Sequence, residues 1–206
     1  MKNKLLILFF MLLPFSANAQ QNTFRQEFEC ELKSKDADIS SIQCDFIQIR
    51  ELSILSNVVK KEGVFYFQQP GNILLSFHDG DYIKMITSWF EMKTGQHINK
   101  TKVSTNPMLK SLSSILSACI AGDVESMTKG FSSNVEKKEN EWYVTMKPKR
   151  GKAVSKISQI VLRFDIKDMS LNSLKMVEKS GDYTMYSFLN KKFNVAINKD
   201  LFNTSK

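Results

Sequence analysis

Two histidines, His78 and His97, and three cysteines, Cys30, Cys44 and Cys119, are all that this chain holds of the side chains that most readily act as bases, nucleophiles or transition-metal ligands. The cysteines are odd in number and contain no Cys-x-x-Cys pair, so they lack the spacing of a metal site. In an oxidising compartment Cys30 and Cys44 could form a disulfide, leaving Cys119 free; three buried thiols serving as small apolar residues is an equally good reading. His78 and His97 fit exposed loop or strand positions better than catalytic ones. Asp79-Gly80-Asp81 brings two carboxylates together but lacks the EF-hand spacing and its terminal Glu, and it reads as a turn. No Gly-x-Ser-x-Gly elbow, His-Glu-x-x-His helix or glycine-rich phosphate loop occurs. The sequence therefore predicts no enzyme, no cofactor and no metal centre. The basic run Lys147, Lys149, Arg150 and Lys152 suits an exposed hairpin tip or a lipid headgroup contact better than nucleic acid.

What the chain does hold in quantity is apolar bulk: 15 Phe, 10 Met and 2 Trp in 206 residues. With 42% hydrophobic and 24% charged residues, 8 Gly and 4 Pro, the composition is that of one globular domain rather than a disordered chain. The formal net charge is +8. Part of it belongs to a segment expected to be removed. Met1-Lys2-Asn3-Lys4 is a basic start, Leu5 to Phe15 is almost wholly apolar, and Ala17-Asn18-Ala19 has the small-x-small form that signal peptidases read. Residues 5 to 15, interrupted by Pro14, are too few to span a bilayer. Residues 1–19 are thus read as a signal peptide and residues 20–206 as a single exported domain beginning at Gln20. Loss of Lys2 and Lys4 leaves 27 basic against 21 acidic residues, or +6.

The elements follow from hydrophobic period. Phe24, Phe28 and Leu32 recur every four residues, with Arg25, Glu29 and Lys33 elsewhere on the wheel, as in a short amphipathic helix lying on a sheet. Residues 41 to 50 alternate, with Ile42, Cys44, Phe46 and Gln48 on one side. Further strands are predicted at Val64 to Phe67, Ile73 to Phe77, Tyr82 to Ile86 and Trp89 to Met92, punctuated by Pro70-Gly71, Asp79-Gly80-Asp81 and Thr94-Gly95. Asn106 and Pro107 are a suitable N-cap and first residue for a helix whose apolar stripe runs through Met108, Leu109, Leu112, Ile115, Leu116, Cys119 and Ile120, ending near Gly122. Trp142 to Met146, Ile157 to Asp165, Leu171 to Glu178 and Tyr183 to Phe188 read as a second set of strands, followed by a short terminal piece at Asn198 to Phe202. Nine to eleven strands and two substantial helices without βαβ alternation give an α+β fold: a curved antiparallel sheet covered by helices.

The ordered set of segments resembles a family. Phe46-x-Gln48 followed by Gly63-Val64-Phe65-Tyr66-Phe67-Gln68-Gln69-Pro70-Gly71-Asn72, Trp142 to Pro148, Ile157 to Asp165 and Leu174 to Glu178 look like stretches of the periplasmic outer-membrane lipoprotein carriers, the LolA-like proteins, over residues 24 to 202. The resemblance implies an incomplete β-barrel whose open side is covered by helices, enclosing an apolar cavity that shields acyl chains. Its implied partners are acylated lipoproteins or lipids, an inner-membrane exporter and an outer-membrane acceptor, for a monomeric periplasmic protein that binds no nucleic acid.

On that reading the lipid-binding residues are Phe46, Phe65, Phe67, Leu75, Phe77 and Trp89 from the strands, with Leu109, Leu112, Ile115 and Leu116 from the lid helix. Period two sets Phe65 and Phe67 on one face of their strand and Ile73, Leu75 and Phe77 on one face of the next. An ordinary packed core would use the same pattern; the abundance of Phe and flexible Met favours a lining. The family carries an Arg before the Pro matching Pro70, which reaches across to the lid helix and holds the cavity closed. Gln69 stands there instead, without the charge or the five-donor fork, so a weaker lid latch is expected. The alternatives are a carrier of a lipid other than lipoprotein, and a lipid-sensing periplasmic regulator of the RseB type. Such regulators carry a second domain, for which this length leaves no room, so the carrier is the preferred reading.

Overall fold

The computed structural model describes residues 16–36, 39–53, 57–86, 89–102, 107–149 and 156–203. A helix α1 (Ser16–Asp36) leads into six strands, β1 (Ser41–Leu52), β2 (Asn57–Gln68), β3 (Asn72–Phe77), β4 (Tyr82–Ile86), β5 (Trp89–Thr94) and β6 (His97–Lys102). Two helices follow, α2 (Pro107–Ile120) and the short α3 (Val124–Thr128), and then β7 (Phe131–Lys138), β8 (Glu141–Pro148), β9 (Ile157–Asp165), β10 (Leu171–Glu178), β11 (Tyr183–Phe193) and a 3₁₀ turn at Lys199–Phe202.

All eleven strands form one antiparallel sheet in the order β6-β5-β4-β3-β2-β1-β11-β10-β9-β8-β7. It consists of two meanders, β1–β6 and β7–β11, whose only non-sequential junction among the described residues is β1 against β11, where Phe46 faces Phe188 and Gln48 faces Tyr186. The outer strands β6 and β7 do not pair with each other, so the sheet is not closed. This is the incomplete barrel expected from the sequence.

Strands β3, β4, β9 and β10 match the alternation within one residue at either end, and the expected turns carry Gly80 (φ 86°) and Gly95 (φ 59°), backbone angles that glycine adopts without a Cβ clash. Helix α2 ends at Ile120, just before Gly122 (φ 65°), and Asp123 then caps α3 by accepting from the Ser126 amide. Six elements, α1, β1, β2, β5, β8 and β11, extend beyond the sequence reading, and three were not anticipated by it. Within the described residues α1 covers Ser16–Asp36, β2 covers Asn57–Gln68, and β11 continues past Phe188 to Phe193. Strand β6, His-Ile-Asn-Lys-Thr-Lys, and strand β7, Phe-Ser-Ser-Asn-Val-Glu-Lys-Lys, carry too little apolar alternation to announce themselves, and α3 is too short.

Helix α1 lies on the β7–β9 half of the sheet. Phe28 and Leu32 are fully buried, and Phe28 meets Trp142 and Phe164 edge-on at 5.7 and 5.2 Å between ring centres. The Trp142 Nε1–H donates to Glu31 Oε2 at 3.0 Å, so the buried indole keeps its hydrogen bond. All three cysteines are free thiols: Cys30 is exposed on α1, while Cys44 and Cys119 are buried. The Cys30–Cys44 disulfide is therefore absent, and only two of the three thiols are buried as small apolar residues.

Candidate functional site: an apolar cavity in the half-barrel

Antiparallel register lines up the inward residues of neighbouring strands. Phe65 of β2 faces Leu75 of β3, Leu75 faces Ile83 of β4, and Ile83 faces Met92 of β5; one step along, Ile73, Met85 and Phe90 form a parallel row. From the other meander come Leu174 and Met176 of β10 and Tyr186 and Phe188 of β11. Between these rows and Leu116 of α2 lies a cavity of about 470 Å³. That is within the range of small-molecule sites, and its lining is mostly apolar.

The cavity is polar at one end. Gln48, Arg50, Lys61, Asp81, Glu178 and Thr184 border it there. Lys61 Nζ lies 2.8 Å from Asp79 Oδ2 and 2.6 Å from Asp81 Oδ2, and hydrogen bonds to these carboxylates hold its pKa above the ordinary lysine value. The same bonds hold Asp79 and Asp81 below the usual carboxylate range, and Asp81 Oδ1 also accepts from the Gly95 amide at 2.8 Å. The Asp79-Gly80-Asp81 turn thus neutralises a lysine rather than holding a cation. Gln48 Nε2 donates to the Tyr186 hydroxyl at 2.8 Å, and burial pushes the phenol pKa upward, so Tyr186 stays neutral. Among the described residues no cluster of three or more His, Cys, Asp or Glu side chains could hold a metal.

A second cavity of about 40 Å³ adjoins the first, among Ile42, Cys44, Cys119, Ile120 and Lys191. Phe65, Leu116 and Phe188 line both, so these three side chains form the partition between them. Phe65 and Phe188 meet edge-on at 5.1 Å. Lys191 Nζ donates to Ser170 Oγ and Asn172 Oδ1, both at 2.6 Å, and burial lowers its pKa.

Of the residues expected to bind lipid, Phe65, Leu75, Phe77 and Leu116 line the large cavity. Phe46, Phe67 and Ile115 are buried beside it in the core. The reason for Phe46 is local: its strand partner is Gly63, where a Cβ would come within 2.8 Å of the Phe46 ring. The ring fills the space a side chain would take, meeting Phe77 edge-on at 5.1 Å. The side chains of Leu109 and Leu112 lie outside the described residues. Trp89 is a correction. It points to the outer face of β5, 39% exposed, while its neighbour Phe90 faces the cavity. Gln69 is exposed, its Nε2 donating to the Ile39 carbonyl at 2.8 Å and its backbone N–H to the Ser40 carbonyl at 3.0 Å. The described hydrogen bonds of Gln69 tie β2 to the entrance of β1 and do not reach α2. Lining residues missed in the sequence are Ile83, Met85, Phe90 and Met92, together with the Leu174/Met176 and Tyr186/Phe188 pairs. Each pair follows the i, i+2 spacing already used for β2 and β3, which groups its members on one face; for Phe90 and Met92 the register with β4 decides that this face turns inward.

An open antiparallel half-barrel of eleven strands, with an apolar cavity bordered by the sheet and by Leu116 of α2, defines the fold class. Comparison of the sequence with curated proteins finds no match. The model of the outer membrane lipoprotein carrier protein family, LolA, matches residues 37–205, and the chain belongs to that family. Among solved structures it is similar to an uncharacterized conserved protein from Thermus thermophilus, at 8% identity and a TM-score of 0.53 over 88% of this chain and 94% of that one. It is similar as well to a putative outer membrane lipoprotein-sorting protein domain from Vibrio parahaemolyticus, at 11% identity and a TM-score of 0.47 over 90% and 97%. A further similarity is to MucB, at 11% identity and a TM-score of 0.48 over 92% of this chain and 64% of that one.

Proposed function

We propose that the protein is an exported, periplasmic carrier that holds the acyl chains of a lipoprotein or related lipid in the half-barrel cavity and moves them between the inner and outer membranes without chemistry of its own. The observation that carries this is the cavity of about 470 Å³ lined by Phe65, Leu75, Phe77, Met85, Phe90 and Met92 in a chain of the lipoprotein carrier family. Flexible Met and broad Phe side chains accommodate acyl chains of varied length better than branched residues would. Each CH₂ taken from water contributes about 0.8 kcal/mol, so a long chain gains enough to compete with the Leu116 contact on α2. The polar end, from Gln48 to Thr184, keeps a headgroup or peptide wet while the chains are buried. Donor and acceptor are an inner-membrane exporter and an outer-membrane lipoprotein acceptor.

The test is mass spectrometry of what copurifies with the protein from its native periplasm, together with binding of a hydrophobic dye. An acylated peptide is the expected cargo; a free lipid would reassign the protein to another class of lipid, and no lipid of any kind would overturn the carrier reading. The variant Ile83→Trp adds bulk into the cavity from a half-buried position and is expected to abolish dye binding without lowering the thermal midpoint. Unchanged dye binding in that variant would place the lipid elsewhere.

A further inference from the structure

The outer face of the β5–β6 hairpin carries a group of side chains that the cavity does not use. Trp89 is 39% exposed and Ile98 49% exposed, and the ammonium groups of Lys100 and Lys102 stand 5.3 and 5.8 Å from the Trp89 ring centre. Register explains the grouping: Lys102 is directly opposite Trp89, Lys100 and Ile98 follow at two-residue steps, and all four share one face. The single acid between residues 89 and 102, Glu91, is 1% exposed, with the Tyr82 hydroxyl at 2.7 Å and Lys84 Nζ at 3.8 Å. The surface that remains is therefore positive as well as apolar. Beside it, over β3 and β4, this side of the sheet is covered. Phe202 of the 3₁₀ turn is buried, and Lys84 Nζ donates to the Asn203 carbonyl at 2.6 Å, so the carboxy-terminal segment seals the β3–β4 region, while Trp89, Ile98, Lys100 and Lys102 stay exposed.

Lysines on an edge strand guard against edge-to-edge pairing, but that role requires neither an exposed Trp nor an exposed Ile beside them. An indole flanked by ammonium groups on long stems is the chemistry of a membrane–water interface, where the ring sits among headgroups and the lysines reach phosphate. We propose that the outer face of β5–β6 docks on an anionic lipid bilayer, Trp89 and Ile98 entering the interface and Lys100 and Lys102 contacting headgroup phosphates. This goes beyond the carrier reading, since it concerns the opposite face of the sheet from the cavity, and its test does not depend on what the cavity binds.

The two tryptophans make the test direct, because Trp142 is fully buried under α1 and only Trp89 can meet lipid. The full mature protein is mixed with phosphatidylglycerol-containing vesicles or with pure phosphatidylcholine vesicles. Expected with the anionic vesicles are flotation, a blue shift of the emission and quenching by brominated acyl chains; Trp89→Phe should remove the shift and the quenching. A lysine near an anionic surface contributes roughly a fivefold gain in affinity, so the double variant Lys100→Gln and Lys102→Gln should bind about 25-fold more weakly, and salt should weaken the parent protein likewise. These exposed substitutions leave the core untouched, and unchanged binding of a hydrophobic dye verifies that the cavity is intact. No flotation with anionic vesicles, equal binding to both vesicle types, or undiminished affinity in the double variant overturns the proposal.

Discussion

Chemical reactivity in this protein is set residue by residue by burial. Cys44 sits in the wall of the small cavity, and burial pushes its thiol up to about 12, so it is protonated and unreactive at neutral pH. Cys119 is equally buried, with its sulfur 3.4 Å from that of Met127, whereas Cys30 is exposed on α1. Titration with a thiol reagent should count one reactive cysteine in the folded protein and three after denaturation; three in the native state would contradict this packing. Glu141 behaves oppositely. Burial raises its pKa, but hydrogen bonds from Asn172 and Arg163 and the Arg163 charge outweigh it, so the carboxyl lies below its ordinary value of 4.5. A carboxyl depressed on folding contributes stability that is complete above the unfolded value and lost as pH falls through the folded one. Urea midpoints should therefore decline below about pH 4.5, and Glu141→Gln should flatten that decline while lowering the midpoint at pH 7.

At the scale of elements, the two long helices have different tasks. Helix α1 is anchored, because Phe28 and Leu32 are fully buried against Trp142 and Phe164. Truncating Phe28 to Ala should cost about 3–5 kcal/mol in urea unfolding, the range for a large aromatic lost from a packed core. Helix α2 contributes Leu116 to the partition between the cavities. Leu116→Ala should join the two spaces, and the expected outcome is tighter binding of longer acyl chains relative to shorter ones, read by competition against a dye. Hydrogen exchange across 113 to 120 gives the complementary measurement: if α2 is displaced when acyl chains enter, exchange there should change on adding an acylated peptide, and equal exchange with and without it would make α2 a fixed part of the core. Gln69 should have little influence on that exchange in the closed form, since its described bonds go to Ile39 and Ser40. Installing Arg at 69 would test whether a longer donor reaches α2 from there. At Gly63, a Cβ would come within 2.1 Å of the Ser76 carbonyl and 2.9 Å of the Phe77 Cα, backbone atoms that cannot turn aside, so Gly63→Ala should fail to fold or lose several kcal/mol.

For the whole molecule, the decisive contact is the seam where β1 meets β11, because among the described residues it is the one strand pairing that joins the two meanders. Phe188 crosses it to reach Phe65, and Phe46 lies beside Tyr186 at 6.3 Å. Phe188→Ala is expected to lower stability by about 3–5 kcal/mol while preserving a single transition, monitored by coincident fluorescence and far-UV signals; separate transitions for the halves would show that the seam does not couple them. How this architecture divides between what was legible beforehand and what was not follows from period. Alternation in the sequence alone determined β3, β4, β9 and β10 and the inward row Phe65, Leu75, Phe77, because residues two apart on a strand share a face whatever surrounds them, and the helical period did the same for Ile115, Leu116, Cys119 and Ile120 of α2, all buried. It could not fix β6 and β7, whose polar side chains hold a strand only because β5 and β8 offer them backbone partners. Nor could it place Trp89: in Trp89-Phe90 both faces of β5 carry an aromatic ring, and only the register with β4, Phe90 opposite Met85, decides which one turns inward. Phe46 became core rather than lining for a similar reason, since the absence of a side chain at Gly63, on another strand, opened the space its ring fills. Local pattern thus set which residues travel together, and the pairing of distant strands set which side of the sheet they reached.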